Sequence, residues 1–255
     1  MLWSLLSALL FFSSAEAKIV TKTIEYKSGD TVLEGYLAYD SRKKKAPGVM
    51  IVHDWTGVGP YVKKRAEQVA ALGYVAFAAD IYGKGVRPQP PESGKVAGSF
   101  KGNRPLFRER LVAGWNELKK QSMVDASNMA AMGYCFGGTG ALELARAGED
   151  AKGVISFHGG LDSPTPADAK NIKGSVLVLH GAEDPLVPEK EVKAFEEEMR
   201  AGKVDWQLVK FSNAVHSFTH PEAGNDPSKG AAYHEPSDKR SWAMMQDFLK
   251  ERLGK

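Results

Sequence analysis

Short apolar runs alternate with stretches of helical spacing along most of the chain. The apolar runs predict buried strands at residues 49–53, 74–79, 129–132, 153–157, 175–179 and 206–211. Apolar residues spaced as on one helix face occur at 59–72, 107–121, 139–146, 189–199 and 237–253, the last behind a predicted N-cap at Ser237. Strands that alternate with helices in this way predict a mostly parallel sheet with helices on both faces.

Two segments depart from this alternation. Residues 21–26 and 31–38 roughly alternate apolar and polar positions around Gly29 and Asp30, which predicts an N-terminal β-hairpin. Residues 82–104 contain three prolines and five glycines, and we expect an irregular excursion with little regular structure there. Apart from this excursion no change of composition marks a boundary, so residues 18–255 are expected to form a single α/β domain.

The N-terminus carries the pattern of an export signal. A mostly apolar stretch at 2–12 is followed by Ala15-Glu16-Ala17, which is typical of a secretory signal peptide that is cut after Ala17. The stretch is short for a membrane-spanning helix. We therefore expect a periplasmic or secreted protein without stable membrane insertion after cleavage, and a retained N-terminal anchor is the alternative.

The composition of the chain limits the classes of function that it can have. The 255 residues are 43% hydrophobic and 25% charged, which is ordinary for a globular protein with a sizeable core. The net charge of +3 is not concentrated in a long basic block, so no nucleic-acid partner is predicted. The chain has one cysteine, Cys135, which excludes an internal disulfide and leaves a free thiol to explain.

That cysteine lies near the centre of a glycine-rich hexapeptide, Gly133-Tyr134-Cys135-Phe136-Gly137-Gly138. The hexapeptide stands between the predicted strand at 129–132 and the predicted helix at 139–146. A strand, a sharp turn and a helix in this order are typical of the nucleophile elbow of α/β-hydrolases, here with cysteine in place of the usual serine. A buried structural cysteine in a glycine-rich turn is the alternative.

A cysteine nucleophile needs a base, and the base needs an acid that orients it. In α/β-hydrolases the chain order is nucleophile, acid, histidine, each beyond the carboxyl end of a strand. Asp184 fits the acid, because it follows the predicted strand at 175–179 in the run His-Gly-Ala-Glu-Asp-Pro. Glu183 is the weaker neighbouring candidate, and a turn residue or helix N-terminal charge is the alternative role of Asp184.

The base is expected after the last predicted strand. His216 lies in the loop between the strand at 206–211 and the final helix, and this placement predicts that it is the base. His220, four residues further on, is its rival. For either histidine the alternative is a structural or surface role.

Two backbone N–H groups are expected to bind the oxyanion of acyl transfer. One belongs to Phe136, the residue after the nucleophile, and the other is assigned to Trp55 in the loop after the first parallel strand. An apolar wall is the alternative role of Trp55. Asp54 is expected to tune the Cys135 thiol, since a nearby negative charge disfavours the thiolate, and an N-cap or a loop salt bridge is its alternative.

These motifs together resemble those of the dienelactone hydrolase family. The resemblance rests on Gly-Tyr-Cys-Phe-Gly-Gly at 133–138, Leu-His-Gly-Ala-Glu-Asp-Pro-Leu-Val-Pro at 179–188 and His-Ser-Phe at 216–218. It implies an α/β-hydrolase fold and a triad of Cys135, His216 and Asp184 that cleaves a carboxylic ester or lactone through a thioester. It also implies that neither a metal nor a cofactor is used.

The resemblance is incomplete at the substrate-binding positions. The family's founding enzymes have a glutamate where this chain has Asp54, and an arginine where it has His220. We therefore name Arg104 and Arg108, with His220, as candidate contacts to a substrate carboxylate.

The expected function is hydrolysis of a small-molecule ester or lactone, with the acyl size and the oligomeric state left open. The alternative is a non-enzymatic protein of the same fold. Such a protein would bind a small ligand or sense oxidants through sulfenic-acid formation at Cys135.

Overall fold

The computed structural model describes residues 17–254, so the predicted signal peptide lies outside the described residues except for Ala17. The strands are β1 (Ile19–Ser28), β2 (Thr31–Asp40), β3 (Ala46–Val52), β4 (Val75–Ala79), β5 (Val124–Tyr134), β6 (Gly153–Phe157), β7 (Ser175–Gly181) and β8 (Trp206–Phe211). The helices are α1 (Pro60–Ala71), α2 (Glu92–Gly102), α3 (Arg104–Lys120), α4 (Phe136–Arg146), α5 (Glu189–Ala201) and α6 (Glu235–Leu253). Short 3-10 turns cover Pro166–Asn171, Pro221–Ala223 and Pro227–Lys229. No helix within 17–254 has the length and apolar character needed to cross a membrane.

The strands form one sheet of eight in the order β1-β2-β4-β3-β5-β6-β7-β8. β1 and β2 form the predicted antiparallel hairpin, which turns at Gly29 with a φ of +55°, an angle that glycine adopts readily. β2 also pairs antiparallel with β4, and the remaining pairings are parallel. The mostly parallel sheet and its N-terminal hairpin are therefore confirmed.

Both faces of the sheet are covered, because its central strands send side chains alternately into two apolar cores. In β3, Met50 and Val52 enter one core, and Val49 and Ile51 enter the other. Helices α2 to α5 close the first core, and α1 and α6 close the second. Burial on both faces explains why these strands are continuous apolar runs in the sequence.

The excursion predicted at 82–104 is more regular than expected, because it contains helix α2. Three glycines lower the helical propensity of this segment. However, Ala97 and Phe100 are buried on its inner side, and Phe100 packs against the rings of Tyr82 and Phe136. Tertiary burial of this aromatic side chain stabilises a helix that the local composition disfavours.

The last helix begins earlier than predicted. His234, and not Ser237, occupies the N-cap, and Pro236 lies in the first turn. Proline is well tolerated there, because its fixed φ suits a first helical turn. Ser237 instead hydrogen bonds the ring of His234, with 2.7 Å between Oγ and Nδ1.

The carboxyl ends of the parallel strands meet at one edge of the sheet. The loop after β3 holds Trp55, the turn after β5 holds Cys135, and the loops after β7 and β8 hold Asp184 and His216. Residues that are far apart in the chain are thereby brought to one place, which is where open α/β sheets commonly bind ligands.

Candidate active site

Cys135 lies on the tight turn between β5 and α4, and its backbone is strained, with a φ of +56° and a ψ of −116°. Such angles persist in a non-glycine residue only where the surroundings enforce them. A Cβ on Gly133 would collide with the carbonyl oxygen of Gly137, and a Cβ on Gly137 would collide with that of Val52. Close approach of backbone to backbone therefore holds the turn and the position of the sulfur.

The structure brings the three predicted triad residues together. His216 Nε2 lies 3.0 Å from Cys135 Sγ, and His216 Nδ1 lies 2.8 Å from Asp184 Oδ2. An ionised carboxylate only accepts hydrogen bonds, so Nδ1–H donates to Asp184 and Nε2 faces the sulfur. Asp184 is buried whereas Glu183 is exposed, which separates the two acid candidates.

Several opposing effects set the pKa of His216. Burial lowers it, but the charge of the Cys135 sulfur and the hydrogen bond to Asp184 outweigh burial and raise the pKa to about 10. His216 is therefore an imidazolium at neutral pH, and its Nε2–H faces the Cys135 sulfur. A cation beside a cysteine favours the thiolate, which is the nucleophilic form, so the pair is suited to attack an electrophilic centre.

Backbone hydrogen bonds hold both Asp184 and His216 in place. The second carboxylate oxygen of Asp184 accepts from the amide of Leu186 at 2.9 Å. The amide of His216 donates to the carbonyl of Gly230 at 3.2 Å, and its own carbonyl accepts from the amide of Ala232 at 3.0 Å. The imidazole is thus attached to a loop that is fixed on two sides.

The two predicted oxyanion donors, Phe136 and Trp55, line the same cleft as Cys135. Phe136 is the first residue of α4, where an N–H has no partner inside the helix and the helix dipole favours negative charge. Neither amide donates a hydrogen bond to another residue of the described chain. Two residues of the cleft therefore have backbone N–H groups that are without a hydrogen-bond acceptor among residues 17–254.

Asp54 and His220 pair with each other. Asp54 Oδ2 lies 3.5 Å from His220 Nε2, and Asp54 Oδ1 accepts from the amide and the hydroxyl of Thr56 at 2.7 and 2.6 Å. Burial raises the pKa of Asp54, but the hydrogen bonds from His220 and Thr56 outweigh it and lower the pKa. Asp54 is therefore an ionised carboxylate whose partners, within residues 17–254, are Thr56 and His220 and not Cys135.

Two cavities adjoin at Trp55. The cleft that contains Cys135 and His216 has a volume of about 230 Å³. The cavity beside the pair of Asp54 and His220 has a volume of about 520 Å³. Trp55, whose side chain is partly exposed, lines both and separates them. Among residues 17–254, no group of three or more His, Cys, Asp or Glu side chains is arranged to hold a metal ion.

A sequence model of the dienelactone hydrolase family matches residues 33–253, a span that contains the whole site. The chain belongs to the dienelactone hydrolase family. It is thereby a hydrolase of carboxylic esters or lactones, and the predicted α/β-hydrolase fold is confirmed.

Solved structures agree with this membership of the dienelactone hydrolase family. The chain is 39% identical to m3DLH, with a TM-score of 0.89 and coverage of 92% of this chain and 99% of that one. It is 38% identical to P91, a dienelactone hydrolase-like promiscuous phosphotriesterase from metagenomic libraries, with a TM-score of 0.87 and coverage of 92% and 98%. A putative carboxymethylenebutenolidase of Aquifex aeolicus is 25% identical over 90% of this chain and 98% of its own length.

Arg104 and Arg108, named from the sequence as substrate contacts, do not line the Cys135 cleft of this dienelactone hydrolase family member. Arg104 lies 2.6 Å from Asp162, and Arg108 lies 2.7 Å from both Glu143 and Asp168. Helix α3 turns both guanidinium groups toward carboxylates of the protein. Their placement therefore does not support a role in substrate binding.

Lys101 lines the cleft, and the sequence analysis missed it. Lys101 Nζ lies 3.5 Å from Asp162 Oδ1 at one end of a wall formed by Gly94, Ala97 and Gly98 of α2. These residues recur at helical spacing, which was the available signal. The glycines and prolines around them predicted irregular structure, so the common face was not recognised.

Proposed function

We propose that Cys135 is the nucleophile of the hydrolase and that the reaction passes through a thioester at its sulfur. The observation that carries the proposal is the continuous contact from Asp184 through His216 to Cys135, with separations of 2.8 and 3.0 Å. A nucleophile, a base and an orienting acid in hydrogen-bond contact are the requirement for covalent acyl transfer. The substrate is a small carboxylic ester or lactone whose carbonyl enters the Cys135 cleft.

In the first half of the reaction the Cys135 thiolate attacks the carbonyl carbon and forms a C–S bond. The carbonyl electrons move to oxygen, where the amides of Phe136 and Trp55 stabilise the charge. When the carbonyl re-forms, the C–O bond to the leaving group breaks. The leaving alkoxide takes the Nε2 proton of His216 and becomes an alcohol, which remains tethered to the acyl group when the substrate is a lactone.

In the second half, water cleaves the thioester. Acylation removes the negative charge of Cys135, which is an important cause of the raised pKa of His216. The pKa of His216 therefore falls in the acyl-enzyme, because burial is then opposed only by Asp184. The neutral imidazole takes a proton from water as the oxygen attacks the carbonyl, and the C–S bond breaks to return the thiolate and release the acid.

The test compares wild type with Cys135→Ala on small aryl esters and lactones. We expect no turnover by Cys135→Ala above the uncatalysed rate, with the fold intact by circular dichroism. Mass spectrometry of wild type quenched during turnover should show an acyl adduct on Cys135. Cys135→Ser is the sharper variant, because an elbow that holds sulfur beside an imidazolium is expected to activate a hydroxyl poorly. Equal rates for wild type and Cys135→Ala would refute the proposal.

Phosphate triesters are a second candidate substrate class, favoured by the 38% identity to P91, which is described as a promiscuous phosphotriesterase. The same thiolate would form an S–P bond as an aryl oxide leaves, and water would then displace the sulfur. A dialkyl aryl phosphate is the probe. Activity that is present in wild type and absent from Cys135→Ala supports this class, and equal activity in the two proteins contradicts it.

Export of the protein is proposed on the apolar stretch at 2–12 and the Ala15-Glu16-Ala17 run. Expression of the full chain followed by cell fractionation and intact-mass measurement tests this proposal. We expect a product that begins at Lys18 in the exported fraction. Recovery of the intact 255-residue chain only from inside the cell would contradict it.

A further inference from the structure

A chain of buried hydrogen bonds runs behind His216, and the reaction described above does not use it. His158 Nε2 lies 2.7 Å from Thr219 Oγ1, and Thr219 Oγ1 lies 2.7 Å from the hydroxyl of Tyr61. His158 follows β6, Thr219 belongs to the His216 loop, and Tyr61 lies in the first turn of α1. The threonine hydroxyl thus joins the loop of the base to two other elements of the fold.

Arg65 anchors this chain from α1. Arg65 Nε donates to the Tyr61 hydroxyl at 3.3 Å, and its Nη2 donates to the carbonyl of Thr219 at 3.0 Å. Arg65 Nη2 also lies 2.6 Å from Asp238 of α6. Both the side chain and the carbonyl of Thr219 are therefore held by residues of α1.

The contacts of Tyr61 and His158 fix the charge along this chain. The Arg65 guanidinium has no acceptor, so the Tyr61 oxygen accepts from it. The Tyr61 oxygen lies 2.7 Å from Thr219 Oγ1 and 3.3 Å from the carbonyl oxygen of Thr219, and either hydroxyl can donate in the shorter contact. Burial, followed by the positive charge of His216, lowers the pKa of His158 well below its ordinary value, so His158 is a neutral ring in this chain.

Two features of the position are unfavourable for His158. Its φ is +38°, which is unusual for a residue with a side chain, and its buried Nδ1 has no hydrogen-bond partner within the described chain. Its ring stands edge-on to the ring of His216, with centroids 5.4 Å apart. An uncharged ring at this place packs against the imidazolium of His216 without electrostatic repulsion.

We propose that Thr219, through its bonds to Tyr61 and His158, is a positioning residue that holds His216 at contact distance from Cys135. Two residues separate Thr219 from His216 along the chain, and one of them, Ser217, has a φ of +58°, so a shift of Thr219 is transmitted to the imidazole over a short segment. The proposal rests on the proposed role of Cys135 and His216, and its test has a readout that needs no substrate.

The experiment compares Thr219→Val, which keeps the shape and removes the hydroxyl, with Thr219→Ser, which keeps the hydroxyl. The readout is the rate of Cys135 alkylation by iodoacetamide between pH 5.5 and pH 9, together with kcat and KM for one aryl ester. In Thr219→Val we expect alkylation near pH 6.5 and kcat each to fall about fivefold to tenfold, with KM nearly unchanged. Thr219→Ser should restore both rates, and Tyr61→Phe should reproduce part of the loss.

Ser175→Ala is the matched control. Its buried hydroxyl makes a single side-chain bond to Asp205, 2.6 Å long, at the opposite end of the sheet. We expect a similar fall in melting temperature for Ser175→Ala and Thr219→Val, but an unchanged alkylation profile in the control. An alkylation profile of Thr219→Val that coincides with that of wild type would overturn the positioning role. A shifted profile in a protein whose Cys135→Ala variant still hydrolyses esters would support positioning and refute the proposed function instead.

Discussion

The nucleophile elbow and helix α2 both border the Cys135 cleft, but they are built in opposite ways. Around the elbow the backbones of β5, α4 and β3 are in direct contact, and a Cβ on Gly133 or Gly137 would collide with a carbonyl oxygen. Helix α2 is mostly exposed. Within residues 17–254, the helix's own backbone and the neighbours of Gly98 apart, no atom lies within 4 Å of where a Cβ on Gly98 would stand. One wall of the cleft is therefore fixed by the backbone, and the other is open to side-chain change.

The difference separates reactivity from selectivity. Rigid backbone contact sets the position of Cys135 Sγ relative to the helix α4 amides, which acyl transfer requires within fractions of an ångström. Small residues on α2 set only how much room the substrate has. We therefore expect changes at the elbow to affect all substrates alike, and changes on α2 to act according to the size and charge of the acyl group.

The largest effect is expected from the same substitution made in both regions. Gly137→Ala forces a Cβ against the carbonyl oxygens of Val52 and His53, and should lower the free energy of unfolding by about 3 kcal/mol or more and abolish activity. Gly98→Ala should instead raise that free energy by up to about 1 kcal/mol, because alanine has the higher helical propensity. Thermal unfolding of both variants measures this difference in stability, and equal melting temperatures would contradict the expected contrast between the two regions.

His216→Ala tests whether reactivity is uniform across substrates. Loss of the imidazolium should lower kcat by about 10³-fold for short and long acyl esters alike. It should also slow alkylation of Cys135 at pH 7, since the sulfur loses its cationic neighbour. A loss of kcat that varies strongly with acyl length would show that His216 also shapes the binding cleft.

The pKa of His216 tests whether the sulfur of Cys135 carries a negative charge. In the free protein the His216 ring should titrate near pH 10, because the Cys135 charge and Asp184 outweigh burial. After carboxamidomethylation of Cys135 the sulfur is neutral, and the titration should move to lower pH. NMR titration of the His216 ring measures both values, and identical midpoints before and after alkylation would show that the sulfur carries no charge in the pair.

The smallest effect is expected at the charged end of α2. Lys101→Met removes a partly exposed cation from the cleft, so KM should rise about threefold for acyl groups that end in a carboxylate. Neutral esters of the same length should be unaffected. Steady-state kinetics with a matched pair of esters distinguishes the two outcomes, and an equal change for both would assign Lys101 a role in the structure of α2 and not in charge recognition.

Sequence reasoning predicted the elbow and its partners because each depends on local signals. Cys135, Asp184 and His216 follow short apolar strands in the chain order of the fold, so strand placement alone brings them together. The wall formed by helix α2 depends on the tertiary burial of Phe100, which cannot be inferred from local helical propensity. The orientation of Arg104 likewise depends on neighbours that are distant in the chain and was not predicted. For Asp54 the sequence analysis offered a loop salt bridge as the alternative role, but it did not name His220 as the partner.

If Cys135 is the nucleophile proposed above, its left-handed backbone means that the fold gives up stability at the residue on which its reactivity depends. A non-glycine residue held in this conformation costs about 1–3 kcal/mol, and a serine or alanine at the same place would bear the same penalty. Cys135→Gly should relieve it and raise the melting temperature by a few degrees. The most heat-resistant form of this enzyme obtained by a change at position 135 is therefore expected to be an inactive one, and selection for thermostability alone would remove the proposed nucleophile.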